Sequence, residues 1–261
     1  IFKMGAAPMH MWMPDVAEGA PAPAAAFLMV VPKIGGAIAL ARLVVLFPVD
    51  VVDLRPSIAG LAVVTMTLGN LGALWQGDVR RLLGWSSVSQ SGYAMMAIVV
   101  IGITPKALPA LLMFLTGYAV GTLAAFAVVT YLRGRTNIED YAGLAKTKPW
   151  ASLVLIIALL SLVGIPPFAG FVGKLTLFIA VVDGGYGWLA VIAIVNTVAS
   201  LFYYLRIVRT VCFEPSKGHV DVLDSVSGVS TALAGLAVLA LGVLAQLLLG
   251  PFSHITMIAR G

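Results

Sequence analysis

Long stretches without a single lysine, arginine, aspartate or glutamate constrain the fold of this chain more than any other feature. Each is at least as long as the roughly 20 apolar residues that an α-helix needs to cross a bilayer. They are residues 56–77, 82–105, 107–132, 149–173, 184–205 and 225–259. A further stretch, 23–47, is interrupted only by Lys33 and Arg42. The pattern predicts an all-α, polytopic transmembrane bundle.

Composition excludes most other classes of protein. Hydrophobic residues make up 61% of the chain and charged residues 10%, whereas soluble domains carry about 25% charged residues. The net charge of +5 does not indicate nucleic-acid binding, because the basic residues lie in short connections between apolar stretches. The lone cysteine, Cys212, cannot form an internal disulfide, and no cysteine or histidine cluster predicts a metal, haem or iron–sulfur site.

Turn-forming residues separate the apolar stretches. The predicted connections are 13–23, 47–57, 104–109, 133–149, 183–187 and 214–224, each rich in glycine, proline or charged residues. Residues 1–10 are expected to be the tail of a further helix, so the prediction is seven whole spans and one partial span. Connections this short imply that neighbouring helices pack antiparallel in a single bundle.

The distribution of basic residues predicts the orientation. Alternate connections hold nine lysines and arginines on one side and three on the other, which places the richer side at the cytoplasm or its equivalent. Tyr203 and Tyr204 are predicted to belong to the aromatic belt at a membrane interface. The richer set comprises Arg80, Arg81, Arg133, Arg135, Lys146, Lys148, Arg206, Arg209 and Lys217, and the other comprises Arg55, Lys106 and Arg260.

Three lysines lie among apolar residues instead of in connections. Lys33 and Lys174 are well inside predicted spans, and Lys3 lies in the predicted partial helix. A charge at bilayer depth costs roughly 3 kcal/mol on insertion scales, so such residues are functional candidates. Desolvation lowers the pKa of an ammonium group, which allows a buried lysine to exchange a proton, whereas arginine stays protonated. The alternative is a lysine that extends to the membrane interface.

The segment 161–174 contains a helix break. Gly164, Pro166 and Pro167 lie inside an apolar stretch, seven to ten residues before Lys174. Proline removes a backbone donor and clashes with the preceding turn. Unwound backbone at membrane depth occurs only where protein or a wet cavity surrounds it. We predict a discontinuous helix of the kind found at ion sites in transporters; a simple proline kink is the alternative.

Polar side chains supply further candidates for a hydrated path. Ser86, Ser89 and Gln90 form a polar stripe, which either lines a file of water or joins neighbouring helices. His10 is a candidate proton relay, because the pKa of histidine lies near neutrality. An interfacial or hydrogen-bonded role for His10 stays equally open.

These residues resemble a known family. IFKMGAAPMHMWMPDVAEGAPAPAAAFLMVVPKIGG (1–36), GNLGALWQGDVRRLLGWSSVSQSGY (69–93) and SLVGIPPFAGFVGK (161–174) are similar to motifs of the antiporter-like membrane subunits of respiratory complex I, NADH-quinone oxidoreductase. The similarity is greatest to the subunit N branch, because lysine stands at both 33 and 174. Of the two other antiporter-like subunits, the largest usually carries histidine at the first position, and the middle one usually carries glutamate at the second. The resemblance covers the whole chain, as the C-terminal portion of a longer subunit.

The resemblance implies a fold and a function. The fold is two inverted repeats with broken helices: 1–47 ends the first repeat, 56–213 forms the second, and 225–261 is a C-terminal helix. Because the family translocates protons, the resemblance implies that Lys3, Lys33 and Lys174 take part in proton translocation here, with His10 as a candidate relay. An essential glutamate, expected upstream of Ile1, would be the counter-charge of Lys3.

The resemblance also sets expectations for cofactors and partners. The chain would belong to a proton-pumping translocase without housing its redox chemistry, so NADH, FMN, iron–sulfur clusters and quinone are expected elsewhere in the complex. The expected partners are other membrane subunits, including neighbouring antiporter-like subunits, in a bacterial inner membrane. The alternatives are a subunit of a cation/proton antiporter or membrane-bound hydrogenase, and a structural membrane subunit without a channel of its own.

Overall fold

The computed structural model describes residues 1–47, 53–133, 135–216, 222–223 and 225–255, and it is helical throughout most of these ranges. Short 3₁₀ helices occupy Phe2–Met4 and Ile138–Tyr141. The α-helices are α1 (Trp12–Gly19), α2 (Ala22–Leu46), α3 (Arg55–Leu74), α4 (Val79–Val99), α5 (Ala107–Tyr131), α6 (Leu144–Thr147), α7 (Pro149–Val163), α8 (Ala169–Asp183), α9 (Gly187–Phe213), α10 (Ser225–Val243) and α11 (Ala245–Ser253).

The all-α membrane architecture agrees with the sequence prediction, although the individual spans differ from it. Among the described residues, α2, α3, α5 and α9 are long and apolar enough to cross a membrane, and α10 with α11, bent by 69°, would be a fifth span. The other two predicted spans correspond to α4, which is more polar, and to α7 with α8, which are 15 residues each. The last part of the predicted C-terminal span, 256–261, lies outside the described residues.

The N-terminal segment differs from the prediction. Residues 1–10 are not the tail of an α-helix: Phe2–Met4 is a 3₁₀ turn, and the chain reverses at Gly5, whose φ is 66°. Pro8 then removes a backbone donor, so a regular helix begins only at Trp12. The predicted connection 13–23 was also wrong, because most of it forms α1. Ala17 and Met13 of α1 are fully buried, and this packing stabilises a helix in a segment rich in turn formers.

Helix α4 lies at the centre of the bundle. It packs against α1, α2, α3, α5, α8 and α9, and every residue from Ser86 to Val100 is buried. Glycines allow the close approach of α3, because a Cβ on Gly69 or Gly92 would overlap the backbone of the opposite helix. A helix that is surrounded by protein can carry polar groups that a lipid-facing helix cannot, provided that those groups find partners.

Candidate functional site

Lys33 is fully buried in α2 and points at the central helix. Its ammonium group donates to the Oγ of Ser87 at 2.7 Å and to the main-chain oxygen of the same residue. It also lies over the ring of Tyr118, 4.5 Å from the ring centroid. No carboxylate pairs with Lys33 among the described residues. The charged form is therefore held only by neutral dipoles and an aromatic face, which compensate poorly for lost hydration.

Lys174 has a similar environment on α8. It is 4% exposed, and its ammonium group lies 4.5 Å from the centroid of the Tyr93 ring. It donates to the main-chain oxygen of Val163 at 2.8 Å. Val163 is the last residue of α7, so its carbonyl belongs to a helix C-terminus, where the partial negative charge favours a cation. Lys174 too has no carboxylate partner among the described residues.

The break between α7 and α8 lies where the sequence predicted it, within residues 164–168. Gly164 has a φ of 96°, a left-handed conformation that favours glycine. Pro166 and Pro167 supply no backbone donors. The predicted span 149–173 is therefore two helices, and α8 continues beyond it to Asp183. The break exposes the last carbonyls of α7, which need partners from elsewhere in the bundle.

Those carbonyls are bound by side chains from two directions. Gln90 of α4 donates from Nε2 to the main-chain oxygen of Leu162 at 3.1 Å, next to the carbonyl that Lys174 binds. The hydroxyl of Ser161 accepts from the backbone N–H of Gly170 at 3.0 Å. Gly170 allows this approach, because a Cβ there would overlap the main-chain oxygen of Ser161. The break is thus an ordered polar site instead of a loose kink.

One segment of α4 contacts the surroundings of both lysines. Ser87 binds Lys33, and one turn later Gln90 binds the break beside Lys174. Ser86 shares a short hydrogen bond with the hydroxyl of Tyr204, which also interacts with the Gln90 side chain. Ser86 and Gln90 therefore form buried hydrogen bonds with neighbouring helices. Ser89 differs, because it packs against α3 and its Oγ has no partner among the described residues.

The sequence did not single out Tyr118, Asn70 or Asn196. The hydroxyl of Tyr118 donates to the main-chain oxygen of Met29 at 3.0 Å and shares a hydrogen bond of 2.6 Å with Ser87. Asn70 of α3 donates to the side-chain oxygen of Asn196 of α9 at 2.9 Å. The sequence could have pointed to them, because each is a polar residue inside an uncharged helix. Nothing in the sequence indicates, however, which of these residues face one another.

Tyr203 and Tyr204 correct a further prediction. Both are fully buried instead of lying at a membrane interface. Tyr203 donates to the side-chain oxygen of Asn70 at 3.0 Å, and Tyr204 contacts Ser86 of α4. The face of α9 that carries them packs on the bundle, while Phe202 and Leu205 on other faces are exposed. Their hydroxyls therefore join α9 to α3 and to α4 by hydrogen bonds.

His10 lies apart from the two lysines, beside Trp85 of α4. The ring centroids are 5.6 Å apart, and the Nδ1 of His10 and the Nε1 of Trp85 are buried without a partner among the described residues. A cavity of about 240 Å³ adjoins both rings, which is roomy enough for water. Among the described residues, no hydrogen bond joins His10 to Lys33 or Lys174.

Lys3 differs from the other two lysines in its exposure. Its side chain is exposed at the edge of the bundle, beside Gly36 of α2. Among the described residues, no helix covers the Lys3 side chain. Among the ranges that the structure describes, no group of three histidine, cysteine or acidic residues could hold a metal ion.

Comparison with known proteins adds independent evidence. Residues 1–200 match the family model described as NADH:quinone oxidoreductase/Mrp antiporter, TM. NADH-quinone oxidoreductase subunit N of Mycobacterium sp. (strain JLS) is 54% identical over 206 residues, 79% of this chain and 44% of that protein. Subunit N 1 of Streptomyces griseus subsp. griseus is 48% identical over 261 residues, 100% of this chain and 54% of that protein.

A solved structure has the same fold. A chain of respiratory complex I from Thermus thermophilus with bound Aureothin matches with a TM-score of 0.82 and 32% sequence identity, covering 95% of this chain and 56% of that one. The chain therefore spans about half the length of the relatives that it matches.

Proposed function

The chain belongs to the NADH:quinone oxidoreductase/Mrp antiporter transmembrane family, and from this premise we propose that it translocates protons as part of subunit N of a bacterial NADH:quinone oxidoreductase. The whole subunit would couple quinone reduction to proton pumping. The redox chemistry, with NADH, FMN, iron–sulfur clusters and quinone, would take place on other subunits. The partners would be other membrane subunits of the complex, among them neighbouring antiporter-like subunits, in the bacterial inner membrane.

One observation carries the proposal: Lys33 and Lys174 are both buried with no carboxylate partner in the described part of the chain, and the same segment of α4 contacts the surroundings of both. Desolvation of an unpaired ammonium group favours its neutral form. A lysine that gains or loses a proton at modest cost can pass it to a hydroxyl or to water. The hydroxyls of Ser87, Tyr118, Ser86 and Tyr204 lie in this region.

The two lysines would have different roles. Lys33 would pass a proton between water files in the middle of the bundle, through the hydroxyls of Ser87 and Tyr118. Lys174, at the helix break, would serve the opening on the far side. Lys3 would be coupled electrostatically to Lys33 and would pair with a carboxylate from outside this chain. His10 would be a relay through the cavity beside Trp85.

Replacing each buried lysine with methionine tests the proposal. In the assembled complex, Lys33→Met and Lys174→Met should each lower proton pumping by about a hundredfold, the scale at which a positioned proton-transfer group contributes. Pumping is measured in proteoliposomes as proton uptake during NADH oxidation, with assembly checked by subunit composition. The matched control is Lys146→Met, because Lys146 is exposed on the short helix α6. Wild-type pumping by both buried-lysine variants would refute the roles.

A second candidate function is a subunit of a cation/proton antiporter, because the family includes the Mrp antiporters as well. Purification from native membranes separates the two: quinone-reducing subunits should accompany the chain if it belongs to complex I. A purely structural role predicts that pumping is insensitive to replacement of Lys3, Lys33 and Lys174 alike.

A further inference from the structure

Each of the two buried lysines lies against the face of a tyrosine ring. The ammonium nitrogen of Lys174 is 4.5 Å from the ring centroid of Tyr93. That of Lys33 is also 4.5 Å from a ring centroid, the one of Tyr118. The face of an aromatic ring carries partial negative charge and attracts a cation at this distance. The same contact recurs at both lysines, to which the described residues supply no carboxylate, and this recurrence indicates more than chance packing.

Lys174 depends on its ring more than Lys33 does. Lys33 donates two hydrogen bonds, both to Ser87. Within the described part of the chain, Lys174 donates one, to the main-chain oxygen of Val163. An ammonium group has three donors and loses its hydration when it is buried. The Tyr93 ring is therefore a larger part of what holds the charged form of Lys174.

The ring face of Tyr93, and not its hydroxyl, is directed at Lys174. Tyr93 is fully buried, and its hydroxyl donates to the main-chain oxygen of Ala193 at 3.1 Å. The hydroxyl also shares a hydrogen bond of 2.9 Å with that of Thr197. Both partners belong to α9, whereas Lys174 belongs to α8. Because α9 engages the hydroxyl, the orientation of the ring is fixed with its face towards the ammonium group.

Two glycines bring the lysine to this ring. A Cβ on Gly164 would lie 2.9 Å from the Cδ of Lys174, so the side chain of the lysine passes closely over the break. A Cβ on Gly173 would lie 2.9 Å from the Cα of Phe114, so this glycine allows α8 to approach α5 closely. Phe114 in turn packs against Tyr93, with the ring centroids 6.3 Å apart. The lysine, the break and the ring are thus closely packed together.

We propose that the ring of Tyr93 is the counter-group of Lys174, and that its partial negative charge determines how much of the time this lysine carries a proton. A carboxylate in the same place would hold the ammonium group more strongly and could itself take up the proton. A ring face attracts the cation more weakly and has no site for a proton, so it stabilises protonated Lys174 without competing for the proton. The inference rests on the proposed function, because it concerns the proton that Lys174 would pass on.

Fluorinated rings at position 93 test this role in the assembled complex. Tyr93→Phe removes the hydroxyl but keeps the ring face, and it is the reference for phenylalanines with one, two and three ring fluorines at that position. Fluorine withdraws electron density from the ring face and changes the size of the ring little. Pumping should fall with each fluorine, because fewer copies of Lys174 carry the proton. Three fluorines should lower proton uptake by proteoliposomes during NADH oxidation about tenfold, the scale of a buried cation–π contact.

The matched control places the same fluorinated phenylalanines at position 114. Phe114 contacts the Tyr93 ring, and among the described residues it makes no cation–π contact with Lys174. Pumping should stay constant across this control series. An equal loss at position 114, or constant pumping across the series at position 93, would overturn the role of the ring. Ring-fluorinated tyrosines at position 93 form a second series that keeps the hydrogen bonds to α9, in case Tyr93→Phe does not assemble.

Lys174→Met, measured alongside, separates this inference from the proposed function. Loss of pumping in Lys174→Met together with a fall at each fluorine is the expected result. If Lys174→Met stops pumping while fluorination at position 93 has no effect, Lys174 acts in proton transfer and the ring of Tyr93 only fills space. If Lys174→Met pumps normally, both the proton-transfer role of the lysine and the counter-group role of the ring are wrong.

Discussion

Two unwound segments of this chain can be compared, the N-terminal one around Gly5 and the one between α7 and α8 around Gly164. Both turn at a glycine with a positive φ, 66° and 96°, and both continue into proline. Both also receive a side-chain donor from α4, Ser91 to the main-chain oxygen of Met4 and Gln90 to that of Leu162. The central helix therefore stabilises two interruptions of regular structure from neighbouring positions.

The lysines distinguish the two segments. Lys174 binds a carbonyl of its own break, Val163, so loss of its proton changes the electrostatics of the unwound backbone directly. Lys33 lies in a helix that follows the first segment, and it binds Ser87 of the intact α4. Lys3, inside the first segment, is exposed. A buried lysine thus binds the backbone at the second break, whereas the described hydrogen bonds of Lys33 go to α4 and not to the first segment.

Arginine at position 174 is the sharpest test of proton release there. Lys174→Arg keeps the positive charge near the carbonyl of Val163, but arginine does not give up its proton in proteins. Pumping should fall by about a hundredfold, as expected for loss of a proton-transfer group. Proton uptake by proteoliposomes during NADH oxidation measures it, with subunit composition as the check on assembly. A Lys174→Arg complex that pumps normally would mean that only the charge matters at this break.

A methyl group at the second break tests its close packing. Gly170→Ala forces Cβ into the main-chain oxygen of Ser161 and should destabilise the folded chain by about 1–3 kcal/mol, the usual cost of overpacking. Gly35→Ala in α2 meets nothing within 4 Å and is the matched control; it should be neutral or stabilising by up to about 1 kcal/mol. Thermal unfolding of the purified complex measures both. Equal stability of the two variants would contradict an ordered break.

The smallest expected effect concerns the first lysine. Ser87→Ala removes the hydroxyl that links Lys33 to Tyr118 but leaves the main-chain oxygen of Ser87 as an acceptor. Loss of one such hydrogen bond, about 1 kcal/mol, should slow pumping about fivefold. The control is Ser89→Ala, whose Oγ has no partner among the described residues. If the two variants pump at the same rate, Ser87 does not act in the path.

Much of the fold was predictable because the bilayer demands long uncharged helices. The boundaries of α2, α3, α5 and α9 agree with the charge-free stretches to within a few residues, apart from the C-terminal extension of α9 to Phe213. The error at residues 1–10 has a local cause. The segment was predicted to be helical because it is apolar, but Gly5 has a positive φ and Pro8 lacks a backbone donor, so the backbone does not continue a helix. The error at Tyr203 and Tyr204 has a tertiary cause, because nothing local distinguishes a tyrosine facing headgroups from one facing Asn70.

The sequence by itself determined that this chain is a helical membrane protein, that lysines 33 and 174 lie at apolar positions, and that a helix breaks before the second. Each follows from the cost of placing charge and unpaired backbone in hydrocarbon, which short segments already reveal. Only the tertiary structure decided that α4 is central and that Ser87 and Gln90 of this helix contact different lysine environments. Those facts depend on which helix faces meet, and helix contacts between residues distant in sequence leave no local pattern.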